Sequence, residues 1–121
     1  MGVAKIMASK IRRGEIYWVD WSPARGSEQK GLRPALIIQN DVGNEFSPTT
    51  IVASCSTAFA KSYPFIVSVT AVKSGLPKDC SINLAQIATI GKSRLGDKCG
   101  ELSAQKMQEV DDALKTSLAI S

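Results

Sequence analysis

The chain has 121 residues, 44% of them hydrophobic and 21% charged, which suits one domain around one core. Its formal net charge is +4 and its pI about 9.1, and it contains no histidine, which excludes every Ser-His-Asp, Cys-His and His-His mechanism and leaves proton transfer to carboxylates, hydroxyls, lysines, tyrosines or water. Three widely spaced cysteines with no C-x-x-C pair support neither a disulfide framework nor a zinc site, so no metal or cofactor is expected and a reducing cytoplasm is the simplest compartment.

Residues 1–10, MGVAKIMASK, read as a flexible N-terminal arm or an expression remnant ahead of a single domain over 11–121. They lack the apolar stretch and cleavage site of a signal peptide. Ile6 stands where a myristoylation signal needs Ser or Thr. No apolar run approaches the length needed to cross a bilayer.

EIYWVDW (15–21) is aromatic and β-branched and sets Ile16 and Trp18 against Tyr17, Val19 and Trp21, the alternation of a strand. Ser22 and Pro23 end it, and residues 22–33 form a long charged loop. ALIIQ (35–39) is a continuous apolar run, as expected of a buried strand, and NDVGN (40–44) a turn cluster. TIVASC (50–55) reads as another buried strand with Cys55 as a core thiol, FIVSVT (65–70) alternates, and SINLAQIATI (81–90) supplies one or two more strands. Residues 100–120 change period. Met107, Val110, Leu114 and Leu118 fall at helical spacing, Ser103 is placed to cap the N-terminus, and Asp111 and Lys115 stand one turn apart as an ion pair. Short strands followed by one amphipathic helix imply a mainly β (α+β) fold, a small closed or half-closed β-barrel with a C-terminal helix.

The charge is uneven. Residues 1–100 hold 13 basic and 7 acidic residues, and residues 101–121 hold 2 basic and 4 acidic. A net +6 body suits an anionic partner, though composition alone favours ordinary solubilising charge.

GSEQKGLRPALIIQND (26–41) concentrates charge between glycines and an apolar run. Pro34 disfavours α geometry at Arg33, so the arginine enters the strand extended. A guanidinium held this way can donate two parallel hydrogen bonds to a phosphate; its plainer reading is a rim arginine. Gly26 and Gly31 permit turns that bring Glu28 beside Arg33, where a neighbouring cation keeps a carboxylate ionised as a general base must be; otherwise Glu28 is a solvated loop acid. Ser56 and Thr57 offer hydroxyls at a strand end, either for a phosphoryl oxygen or for the local backbone. AFAKSYPF (58–65) interleaves Phe59, Tyr63 and Phe65 with Lys61, a pattern suited to stacking bases while a cation meets phosphate.

Four segments together, RGEIYWVDWSPARGSEQKGLRPALIIQND, SPTTIVASCST, YPFIVSV and AQIATIGKSRL, resemble the MazF/PemK toxin family in order and in spacing, from Arg13 to the C-terminus. The resemblance implies a homodimeric, SH3-like barrel with a C-terminal helix. It further implies a metal-independent endoribonuclease that cuts single-stranded RNA at short sequences and is neutralised by a cognate antitoxin. Under it, Arg33 matches the catalytic arginine, Glu28 the acid of the G-S-E-Q loop, and Ser56 a hydroxyl position, with Thr57 as the alternative. Arg25, Gln29, Lys30, Phe59, Lys61, Tyr63 and Gln86 become candidate RNA contacts. The chain departs from some members at Ala85 and Asn83, where they carry an acid and an arginine, so the chemistry falls on Glu28 and Arg33. Two other classes compete: a CcdB-like gyrase-binding toxin of related fold, against which the Glu28/Arg33 loop argues, and an RNA-binding module without catalysis.

Overall fold

The computed structural model describes residues 10–21, 32–57 and 62–121. All but one residue of the expected N-terminal arm, and most of the charged loop, lie outside them. Chain order is β1 (Glu15–Asp20), β2 (Leu32–Ile37), α1 (Asp41–Phe46), β3 (Thr49–Ser56), β4 (Ile66–Val69), α2 (Ala71–Ser74), β5 (Cys80–Gly91), a 3-10 turn (Lys92–Arg94), β6 (Leu95–Glu101) and α3 (Ala104–Leu118). The strands form one antiparallel sheet in the order β4-β5-β3-β2-β1-β6.

The sheet buries both faces, which explains why its strands read partly as alternating and partly as continuous apolar runs. On one face Ile16, Leu36, Ala53, Cys55, Ile82 and Leu84 meet Val110 and Ala113 of α3. On the other, Val19, Ala35, Ile37 and Val52 pack with Ile11, flanked by Tyr17, Trp21, Ile90 and Leu95. The alternation expected for β1 is therefore real, with Ile16 in one core and Tyr17, Val19 and Trp21 in the other.

Ser103 caps α3 as expected, its hydroxyl accepting from Lys106 N at 3.1 Å. The apolar stripe is buried as far as Leu114, whereas Leu118 is 51% exposed. The expected Asp111–Lys115 pair is replaced by a longer-range one: Asp111 Oδ1 accepts from the Arg13 guanidinium at 2.8 Å. Arg13 also donates through Nε to Ile38 O and through its backbone N–H to Asp41 Oδ1, so one side chain and its amide tie α3, the end of β2 and α1 together. The guanidinium reaches α3 and the end of β2 and the backbone N–H reaches α1, where a lysine one turn away on α3 reaches only its own helix.

Two other expectations change, and one strand appears that the sequence reading did not anticipate. NDVGN is not a turn but the start of α1: Asn40 accepts from Gly43 N at 2.7 Å as N-cap, and Asn44 is fully buried, held by Gln39, Asp41 and Thr50. Leu32 and Arg33, expected at the end of the loop 22–33, belong to β2 instead. Residues 95–101 form β6, whose LGDKCGE sequence carries little strand propensity; β1 supplies the partner instead, and Lys98 bridges Glu15 at 3.2 Å and Glu101 at 2.6 Å.

Among the described residues the edges β4 and β6 share no ladder, so the barrel is an open one. Packing brings the seam together instead. A Cβ on Gly100 of β6 would stand 2.5 Å from the Ser74 carbonyl oxygen in α2, so only glycine allows this approach.

Candidate active site on the face opposite the C-terminal helix

Pro34 shapes the site. It lies inside β2 opposite Trp18 of β1, and the ladder between β2 and β3 starts only at the next residue, with Ala35 opposite Ser54. A proline cannot donate to a ladder. Two residues further out along each strand stand Arg33 and Ser56. Alternation puts Arg33 on the face of Ala35 and Ile37, and Ser56 on the face of Val52, which is the same face and the one away from α3. Both residues are exposed. Buried neighbours therefore hold their backbones while leaving their side chains at the open end of the face.

Ser56 pairs with Ser81 of β5, and Ser81 in turn with Ser68 of β4. Thr57 follows, exposed, outside the strand. Beyond this point β5 departs from regular pairing: Ala53 lies opposite Ile87 but Cys55 opposite Ile82, so residues 83–86 bulge out of the ladder. Asn83 Oδ1 accepts from Ala85 N at 2.9 Å within this bulge, and Gln86 is exposed on it. Asn83 is thus a structural residue, and the bulge is what presents Gln86. Phe65 O accepts from Leu84 N at 2.9 Å, and the Phe65 ring stacks on Tyr63 with centroids 5.2 Å apart at 8°. Tyr63 is 47% exposed, so the pair offers a flat apolar step beside the bulge.

The sheet thus brings Arg33 and Ser56 to one end of one face, with Thr57 next in the chain and Gln86 exposed on the β5 bulge. Arg25, Glu28, Gln29, Lys30, Phe59 and Lys61 lie outside the described residues; in the sequence, residues 22–31 precede Leu32 and 58–61 follow Thr57. Sequence reasoning missed Ser54 and Ser81, the hydroxyls flanking Ser56 on this face. Only strand register reveals them, and nothing in their local sequence does. Tyr17, a hydroxyl that could have served as a base, is withdrawn: burial, a 2.9 Å hydrogen bond to Glu15 and that residue's charge push its pKa up to about 12. Among the described residues no group of three Cys, Asp or Glu side chains is arranged to hold a metal ion.

Residues 12–118 match the model of the PemK-like, MazF-like toxins of type II toxin–antitoxin systems. The chain belongs to that family. It is 48% identical over 111 residues to the endoribonuclease EndoA of Bacillus subtilis (strain 168), covering 91% of this chain and 96% of that protein. Among solved structures, a mycobacterial endoribonuclease in complex with its cognate antitoxin superposes with a TM-score of 0.77 at 26% identity, covering 92% of this chain and 97% of that one. The MazE–MazF complex of Deinococcus radiodurans (Form-II) superposes with a TM-score of 0.77 at 25% identity, covering 93% and 98%.

Proposed function

We propose that this toxin-family chain is a metal-independent endoribonuclease that cuts single-stranded RNA by attack of the ribose 2′-hydroxyl on the adjacent phosphorus. The observation that carries it is the convergence of Arg33 and Ser56 on one face, at the strand ends that lead into the GSEQ loop and the aromatic–basic loop. Likeness to EndoA of Bacillus subtilis supports the reaction class.

Glu28 accepts the proton of the 2′-hydroxyl. Arg33 and Ser56, with Thr57 alongside, hold the non-bridging phosphoryl oxygens where negative charge grows. Donors fixed in place before the reaction begins lower such a barrier more than any other single effect. The products are a 2′,3′-cyclic phosphate and a 5′-hydroxyl. Arginine has a pKa above about 12 and donates its proton poorly, so water protonates the leaving oxygen while Arg33 acts as a clamp. DNA is spared because it lacks the attacking hydroxyl. Arg25, Gln29, Lys30, Phe59, Lys61, Tyr63 and Gln86 contact the RNA on either side of the cleaved phosphate.

The two complexes named above contain antitoxins, which supports a cognate MazE-like antitoxin as partner here. The chain acts as a homodimer in the cytoplasm; among the described residues no helix is long and apolar enough to cross a membrane. The test is incubation of the purified protein with a long single-stranded RNA in EDTA, followed by mapping of both product ends. Cleavage with cyclic or 3′-phosphate ends is expected. Activity lost on chelation and restored by magnesium would overturn the mechanism, and intact RNA under all conditions would favour a binding toxin.

A further inference from the structure

All three cysteines converge, although they come from β3, β5 and β6. Cys55 and Cys80 are 6% and 7% exposed within the larger core, and Cys99 packs against it. Cys55 lies opposite Ile82, and Cys80 is two residues before Ile82 on the same face, so the two thiols are diagonal neighbours across β3 and β5. Contact between the two thiols lowers the pKa of Cys80, while the same contact and burial push that of Cys55 up.

Its position ties it to the site. Ser56 and Ser81 are partners across β3 and β5, and Cys55 and Cys80 are the residues immediately before them. Side chains alternate across a sheet, so the thiols lie on the opposite face, each one residue from its serine.

We propose that Cys55 and Cys80 form a thiol oxidation site, at which hydrogen peroxide converts the pair to a disulfide that displaces Ser56 and slows RNA cleavage. The effect on cleavage rests on the function proposed above; the crosslink itself does not. The Cys80 thiolate attacks one peroxide oxygen and the O–O bond breaks. Cys80 becomes a sulfenic acid, and the departing hydroxide takes up the proton that the Cys80 thiol released, leaving as water. The Cys55 sulfur then attacks the Cys80 sulfur, the S–O bond breaks, and a second water leaves with the Cys55 proton. Two thiols lose two electrons and one peroxide becomes two waters.

Geometry makes the bond consequential. Diagonal neighbours on adjacent strands have Cα atoms about 7–8 Å apart. A disulfide usually holds its Cα atoms within about 4.4–6.8 Å. Bridging therefore pulls the end of β3 toward β5, and the β5 bulge opposite Ser54 lets the strands yield there rather than resist. A misplacement of roughly 1 Å in a catalytic group costs about a hundredfold in rate.

The test uses the full reduced chain, treated with hydrogen peroxide. Its intact mass should fall by about 2 Da, peptide mapping should join Cys55 to Cys80, and RNA cleavage should drop about 10- to 100-fold and return with dithiothreitol. Cys99→Ser should behave like the natural chain. Cys80→Ser should neither form the crosslink nor lose activity on treatment, with Cys55→Ala in its place if that variant does not fold. Unchanged mass, oxygen added without a crosslink, or a bridge to Cys99 overturns the site. A Cys55–Cys80 bridge that leaves cleavage unchanged overturns the coupling to Ser56. Reduced protein that never cleaves RNA counts against the proposed function instead, and the mass measurement still decides the bridge.

Discussion

Arg33→Ala separates a catalytic arginine from a rim arginine because the two roles move different measurements. Arg33 is exposed, at the outer end of β2 and beyond the buried run Ala35–Ile37. No described hydrogen bond or ion pair holds its side chain, so truncation opens no cavity and leaves no buried partner stranded. An exposed substitution of this kind changes stability by no more than about 0.5 kcal/mol. For a domain of this length that is a shift in Tm of roughly 2 °C. The rate is another matter. Removing one preorganised donor from a developing oxyanion costs about a hundred- to a thousandfold, or roughly 2.7–4 kcal/mol of barrier. Single-turnover cleavage of an end-labelled single-stranded RNA, measured beside a calorimetric melt of the same sample, reads both quantities. The expected result is a loss of at least about a hundredfold with an almost unchanged melt. Arg33→Lys should rescue little, since an ammonium cannot make the bidentate contact. Glu28→Gln should slow the reaction less, with water as substitute base. Full specific activity with a clearly lower Tm would refute the reasoning and reduce Arg33 to a part of the strand end.

Gly100→Ala should destabilise the fold by about 1–3 kcal/mol, because its new Cβ would meet the Ser74 carbonyl oxygen at 2.5 Å; an unchanged urea midpoint would show that β6 and α2 part without cost. Asp41 accepts from Arg13 N at 2.6 Å and from Asn44, with Arg12 at 3.8 Å, and these hold its pKa below the usual 3.8. A depressed carboxylate pKa adds stability above the unfolded value and loses it as pH falls through the folded one, so the Tm deficit of Asp41→Asn at pH 7 should shrink below about pH 4; a deficit independent of pH would contradict this. The net +6 of residues 1–100 favours an acidic antitoxin segment that orders over the site, so an antitoxin peptide and a non-cleavable RNA should compete in a binding assay, and simultaneous binding would rule out occlusion.

What the sequence determined by itself was local and chemical. β-Branched and aromatic runs carried β1, β3, β4 and β5 because both propensity and burial acted on the same residues. Ser103 and the period of Met107, Val110 and Leu114 defined α3, since a cap and an amphipathic stripe need no partner to be read. Arg33, Ser56 and the basic–aromatic loops were visible as residue types suited to phosphate and bases. Tertiary structure decided what depends on neighbours distant in sequence. β6 exists because β1 and Lys98 hold it, despite two glycines and little propensity of its own. Asn40 turned an apparent loop into α1 once Asn44 had a buried site to fill. Asp111 turned from Lys115 to Arg13, a partner no helical spacing could indicate. The β5 bulge, which presents Gln86, and the Ser56–Ser81 pairing, which sets two thiols on the opposite face, are both matters of register. Register belongs to a pair of strands, and no single stretch of the chain contains it.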